Sequence, residues 1–182
     1  MTIKTPLLKV IVSNVCLLLY HLIAKHIPTS FPLTSFGFWL RRLLCARIFG
    51  NCGHGLMIEH KVDFGRGKLL HVGDYVYIGR ATQINLNAEV HIAHRAYIGE
   101  EVLIYTQDHG NSRTDITMQE QPYIRAPVSV GEQAVVGSRA IILKGISIGR
   151  NATIEVGTVV PRDVPEGSTV IGVPARPLQD NY

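Results

Sequence analysis

Cysteine is scarce in this 182-residue chain. The three present, Cys16, Cys45 and Cys52, form an odd set with no C-x-x-C pair and no distal partners. That argues against a disulfide-stapled scaffold and a cysteine zinc site, and it fits a reducing compartment. Acidic residues are missing from the first 50 positions, which carry Lys4, Lys9, Lys25, Arg41, Arg42 and Arg47. All 14 acidic residues lie beyond that head, on a body close to neutral. A basic, apolar head suggests an anionic surface as its neighbour, and no nucleic-acid partner is expected. A small-residue cleavage site of the A-x-A kind is also missing, so a secretory signal is not expected.

Two helices are expected in the head. Residues 7–24 are strongly apolar but interrupted by Lys9, Ser13, Asn14 and His21. A spanning helix needs about 20 predominantly apolar residues. The stretch is read as a peripheral or oligomer-packing helix in preference to a membrane span. Pro28 ends it. In residues 36–49, Phe36, Trp39, Leu40, Leu43, Leu44 and Ile48 recur at helical spacing, and Arg41, Arg42 and Arg47 are expected on the other side. Such a helix can lie at a membrane interface or cap a core, and one helix can do both.

Beyond residue 52 the helical period gives way to a period of six. Val130, Val136, Ile142, Ile148, Ile154 and Val160 recur six apart, with Gly131, Gly137 and Gly149 directly after three of them. Four places on stand Ala134, Ala140, Ile146, Ala152 and Thr158. Neither a helix nor a hairpin has this period, whereas a parallel β-helix does. Each hexad is one short strand and one corner, and three hexads make a coil. Earlier hexads run through Ile58, Phe64 and Leu70, then Val72, Ile78 and Ile84, then Ile92, Ile98 and Ile104. The two-residue slips between these sets are expected as bulges at corners. The expectation is an all-β chain: residues 1–51 a helical segment, 52–164 a β-helix of about five coils, 165–182 a terminal strand, turn and tail. Residues 105–127 carry no hexad and form an excursion loop, a length of irregular chain that is usually functional or disordered.

As a set, TQDHG at 106–110, VVGS at 135–138, KGISIG at 144–149, VPRDVP at 160–165 and GVPAR at 172–176 resemble the hexapeptide-repeat acyltransferases. The resemblance is nearest to bacterial sugar O-acetyltransferases of the galactoside/maltose type and those acting on capsule, O-antigen or exopolysaccharide. It covers residues 52–178. It implies a left-handed β-helix and a homotrimer in which two subunits complete each site. It also implies transfer of acetyl from acetyl-CoA to a sugar hydroxyl of a surface polysaccharide or its precursor, lipid-linked or nucleotide-linked. Such an enzyme would be cytoplasmic, with residues 7–49 bringing it to the inner face of the membrane. No metal is expected.

The resemblance also assigns residues. His109 opens the excursion and matches the general base. An imidazole, with an ordinary pKa near 6.5, can take the hydroxyl proton at neutral pH. Asp108 beside it could orient the ring or touch the acceptor. Gln83 matches the acceptor-site amide where the family has Asn, and Asn85 is the alternative donor. Ser138 and Val156, one coil apart, match contacts to the pantetheine arm. Arg162 and Arg176 match basic contacts to the phosphates, for which a guanidinium fork is suited. His54, His60, His71, His91 and His94 read as surface or structural. Three other readings stay open: an N-acetyltransferase on an amino-sugar nucleotide or other small acceptor, a γ-type carbonic anhydrase using His91, His94 and His109, and a scaffold without activity. The pair of metal ligands across a short gap that the second needs does not accompany His109. The retained His109, Ser138 and Arg176 argue against the third.

Overall fold

The computed structural model describes residues 7–29, 34–110 and 117–178. Lys4 and the central part of the expected excursion lie outside them. From Asn51 onward the chain winds as a parallel solenoid of about six turns with three faces. Face 1 stacks Asn51–Cys52, Leu70–Val72, Val90–Ile92, Val128–Val130 and Ser147–Ile148. Face 2 stacks Met57–Ile58, Tyr77–Ile78, Tyr97–Ile98, Val135–Val136, Thr153–Ile154 and Thr169–Ile171, with Arg176–Pro177 folded back antiparallel on the last. Face 3 stacks Gln83–Asn85, Leu103–Tyr105, Ile141–Ile142 and Val159–Val160. Single bridges from Asp63 to Gln83 and from Ile148 to Val164 extend faces 3 and 1 into the first and last coils.

Strand side chains alternate in direction, so each short strand sends one aliphatic residue inward. The inward residues stack as ladders. On face 2 the rungs are Ile58, Ile78, Ile98, Val136, Ile154 and Val170, all buried. No coil encloses its own core, so each depends on its neighbours.

The Gly after the inward residue has ordinary φ. It is needed because the next coil passes so close: a Cβ on Gly79 would sit 2.5 Å from the Gly99 carbonyl carbon. The left-handed turn comes two residues later, at non-glycine positions such as Ala81, Glu101 and Arg139, with φ of 57°, 56° and 61°. Each of those residues donates its backbone N–H to the preceding coil. Glu101 donates to the Arg80 carbonyl and Arg139 to the Glu100 carbonyl, both at 2.8 Å. These bonds offset the cost of the left-handed conformation, which is about 1–2 kcal/mol per residue.

The two-residue slips are not bulges. Leu70 pairs with Val90 and Val72 with Ile92, and Val128 and Val130 follow in the same register. Face 1 simply holds two inward residues in each of these coils: Leu70 and Val72, Val90 and Ile92, Val128 and Val130, all buried. The extra pair lengthens a strand without breaking the ladder.

Two helices, α1 (Leu7–Leu22) and α2 (Thr34–Ile48), close the open end of the first coil, with a 3-10 turn at Ala24–His26 between them. Tyr20 is fully buried, packs on Phe64 at 4.5 Å between ring centroids, and donates its hydroxyl to the Val62 carbonyl at 3.1 Å. The arginines of α2 do not share one side. Arg41 is fully buried and faces the first coil, while Phe36, Trp39 and Leu43 are exposed. Arg41 reverses the simple amphipathic reading because its Nε and Nη1 donate to backbone carbonyls, while its Nη2 is buried with no hydrogen-bond partner among the described residues. Nε donates to Ile58 at 2.6 Å, and Nη1 donates to Ala24 and Ile27, both at 2.9 Å.

Lys25 and Asp63 form an ion pair that fastens the 3-10 turn to the first coil. Burial alone would raise the Asp63 carboxyl; Lys25 and the Gly65 amide outweigh it and hold the group below its ordinary value. Such a group adds stability above its unfolded pKa, near 4, and loses it as pH falls through the lower folded value. Asp63→Asn is expected to cost about 0.5–1 kcal/mol in urea unfolding at neutral pH. The gap to the parent should close below about pH 4.

Candidate active site

The excursion leaves face 3 after Tyr105. Its two ends form an antiparallel ribbon in which His109 pairs with Tyr123, Asp108 with Ile124 and Gln107 with Arg125. Thr106 anchors the base. Its buried hydroxyl donates to the Asn85 carbonyl at 2.6 Å and accepts the Asn87 and Ala88 amides at 2.8 and 3.0 Å. One residue thus couples the start of the ribbon to the strand that carries Asn85.

Between ribbon and face 3 lies a groove of about 420 Å³ bounded by Asn85, Tyr105, His109, Tyr123, Leu143 and Lys144, with Gln107 and Asp108 on its ribbon side. The His109 ring is half-buried against Tyr123, 4.2 Å between centroids. Its Nδ1 is buried, and no described group hydrogen-bonds it. Asp108 does not touch the ring. Its Oδ1 accepts the His109 backbone N–H at 2.8 Å, and its Oδ2 lies 3.5 Å from Lys144 Nζ. The carboxylate therefore shapes the chain around His109 and leaves the imidazole alone.

Asn85 and Gln83 point outward from the same strand, but only Asn85 shares the groove with His109. Gln83 lies in an adjoining groove of about 460 Å³, bounded also by Asp63 and Arg66, and the two grooves meet at Asn85 and Tyr105. The geometry selects Asn85 over Gln83 as the amide nearest the imidazole.

Ser138 and Val156 stack one coil apart at the corner between faces 2 and 3, as register requires. Ser138 Oγ accepts the Glu100 amide at 3.1 Å, its carbonyl accepts the Gly157 amide at 2.9 Å, and Val156 is 66% exposed. Arg176 lies one coil further along the same edge, beside Ile171. Arg162 is elsewhere: it follows Val160 as Lys144 follows Ile142, which puts it at the corner between faces 3 and 1. The corner of Ser138 and the groove of His109 thus occupy opposite edges of face 3.

The three histidines of the metal reading do not meet. His91 stands on the outer side of face 1, its ring stacked on His71 at 4.6 Å and its Nε2 3.0 Å from Glu89. Among the described residues, His71, Glu89 and His91 are the group whose ligand atoms lie close enough together for a cation, within 4.8 Å, and His109 is not among them.

Tyr105, Tyr123 and Lys144 were not singled out from sequence. Lys144 was readable in principle, since it precedes a Gly at a corner one coil above Arg162. Tyr123 reaches the site only through ribbon pairing, which no period announces.

A family profile described as "Hexapeptide repeat of succinyl-transferase" matches residues 127–162. Nodulation protein L of Rhizobium meliloti is 33% identical over 159 residues, covering 79% of this chain and 85% of that protein. The galactoside O-acetyltransferase of Escherichia coli is 26% identical over 140 residues, 77% of this chain and 68% of that one. A Saccharomyces cerevisiae relative, 30% identical over 133 residues, is spanned over 66% of its length. Among solved structures, a hexapeptide-repeat acetyltransferase from Vibrio cholerae complexed with acetyl coenzyme A superposes with a TM-score of 0.75 at 23% identity, covering 94% of this chain and 86% of that one. The solenoid is that of the left-handed β-helix.

Proposed function

The chain belongs to the hexapeptide-repeat acetyltransferases, and on that premise we propose that it moves acetyl from acetyl-CoA to a sugar hydroxyl with His109 as general base. The observation that carries the reading is the groove itself. It holds the His109 imidazole, an amide at Asn85 and aromatic walls at Tyr105 and Tyr123, an arrangement suited to a sugar ring and a hydroxyl proton.

In this reading the acceptor hydroxyl lies against Nε2 of His109. As its oxygen attacks the thioester carbonyl, the proton passes to the ring and a C–O bond forms. The tetrahedral oxyanion collapses with breakage of the C–S bond, and the imidazolium returns the proton to the leaving thiolate. No covalent enzyme intermediate is needed, and none of the three cysteines lies in the groove. Asn85 donates to the acceptor or to the oxyanion. Ser138, Val156 and Arg176 hold the donor along their shared edge, and Arg162 serves phosphate from the other corner.

Because the donor edge and His109 lie on opposite sides of face 3, a second copy of the chain completes the site, and a trimer closes the arrangement. The apolar residues Met57, Tyr97, Val135 and Val156, exposed along face 2 and its corner, offer the surface for this contact. The acceptor is a surface polysaccharide or its precursor. Acetyl-CoA places the reaction in the cytoplasm.

Following thiol release from acetyl-CoA with a panel of sugar and amino-sugar acceptors tests the assignment. Release is expected to require a hydroxyl acceptor and to fall about 100-fold in Asn85→Ala, with Gln83→Ala changing it less than about threefold. Preference for amines would move the protein to N-acetylation. No release with any acceptor, together with no CoA binding, would overturn the transferase reading.

A further inference from the structure

The groove at His109 continues across the molecule. Past Asn85 and Tyr105 it opens into the hollow bounded by Asp63, Gln83 and Arg66. Arg66 is also shared by two further hollows, one with Lys68, Asn87 and Arg125, the other with Lys68 and the α1 residues Ser13, Asn14 and Leu17. From Leu143 on the fourth coil to Asp63 on the first is three strand spacings, roughly 14 Å. The trough is longer than one sugar ring needs, and it ends at α1.

Its far end is cationic and uncommitted. Arg66, Lys68 and Arg125 are exposed, and among the described residues none has an ionic partner. Three cations around one hollow suit phosphate oxygens.

Next to this end lie two apolar faces without cover. α1 packs on the solenoid through one stripe, including Cys16, Leu17 and Tyr20, and leaves Leu8, Ile11, Val15, Leu18 and Leu22 bare. An 18-residue window within Leu7–His26 has a mean hydropathy of 2.0, yet only 11% of it is buried. On α2, Phe36 and Trp39 stack at 6.0 Å and are half exposed. The basic residues Lys9, Arg42 and Arg47 are exposed on the same helices, and no acid occurs in the first 50 residues. α1 is tied to the first coil near its C-terminal end, where Tyr20 donates to the Val62 carbonyl, His21 hydrogen-bonds the Gly65 carbonyl, and Cys16 and Leu17 pack on the core. Apolar faces ringed by cations match an anionic leaflet.

We propose that the trough binds a saccharide carried on a lipid through phosphate or diphosphate. The sugar lies at His109, Arg66, Lys68 and Arg125 take the phosphate oxygens, and α1 and α2 rest in the bilayer surface that holds the lipid. The proposal rests on the O-acetyltransferase reading and names the acceptor class for it.

The test uses the full chain and vesicles of phosphatidylcholine with about 30% phosphatidylglycerol, with or without geranylgeranyl diphosphate as the lipid-phosphate probe. The protein is expected to float with vesicles and to stay partly bound in about 0.5 M salt, where screening removes the ionic share. The probe should increase the bound fraction. Arg66→Gln combined with Lys68→Gln should weaken probe binding at least tenfold. Leu8→Ser combined with Ile11→Ser should abolish flotation without changing affinity for inorganic diphosphate. UDP-glucose binding as tightly as the probe in vesicles would overturn the lipid source in favour of a nucleotide sugar. Loss of flotation by salt alone would overturn the apolar contact. Failure to float, with dissociation of the oligomer in Leu8→Ser/Ile11→Ser, would assign the helices to a second copy of the chain. CoA affinity, measured in parallel by calorimetry, should not change in either variant; its absence in the parent would strike the transferase reading alone.

Discussion

Replacing His109 by Ala should slow acetyl transfer by about two to four orders of magnitude, with CoA bound as tightly as by the parent. The separation of the two effects follows from position. The imidazole stands on the ribbon beyond one edge of face 3, and Ser138 and Val156 line the other edge. Removing the ring takes away the proton acceptor and its stacking contact with Tyr123, but no inward rung of the solenoid. The loss should therefore fall on kcat and leave the donor's dissociation constant and the thermal midpoint in place. His109→Gln is the sharper control. It keeps a polar group in the groove but cannot cycle a proton, so it should match Ala in rate. Stopped-time assays of thiol release with acetyl-CoA and a working acceptor read the effect directly. Parent-level turnover in both variants would remove His109 from the chemistry.

The largest stability effect is expected at Arg41. Arg41→Ala should cost about 3–5 kcal/mol, whereas Arg42→Ala, one residue on and exposed, should stay within about 0.5 kcal/mol. Burial pushes the Arg41 guanidinium pKa down, but an arginine keeps its charge. Its hydrogen bonds to Ile58, Ala24 and Ile27 join α2 to three segments: the first coil, the 3-10 turn and the chain after it. Truncation removes the side-chain donor from all three carbonyls, of which Ala24 keeps the Ile27 amide, and opens a void beside Phe38, whose ring lies 5.6 Å from the guanidinium carbon. In a solenoid each coil is stabilised mainly by its neighbours, so the helical cap should separate first. Urea unfolding followed by far-ultraviolet circular dichroism is expected to show an early helical transition absent from the parent. A single unshifted transition would mean that Arg41 is not the tie.

What could be read from residues alone divides by physical cause. The ladders were legible because a two-residue strand exposes one residue and buries the next, so Ile78, Ile98 and Val136 repeat a signal that composition cannot hide. Gly79 and its equivalents were legible as positions, but their reason was not, because close approach of the next coil leaves no trace in one hexad. The side of α2 that carries Arg41 was misread because periodicity counts apolar residues and takes every arginine as wet; only three converging carbonyls justify burying this one. His109 stood out because it opens the one long break in the period. Its neighbours did not, since Tyr123 and Lys144 arrive from ribbon pairing and from coil stacking. The preference for Asn85 over Gln83 required knowing which hollow each faces.

The base of the excursion has one more consequence. The Ala126 amide donates to the Thr106 carbonyl at 3.0 Å, and the coils on either side pair directly, Val90 with Val128 and Ile98 with Val136. The excursion is thus an interchangeable cassette spliced into an unbroken spring. Its length and lettering can drift without unwinding the turns around it, and the opposite edge of face 3, with Ser138 and Val156, need not change when the cassette does. A chain built this way keeps its mechanical frame whatever the cassette carries.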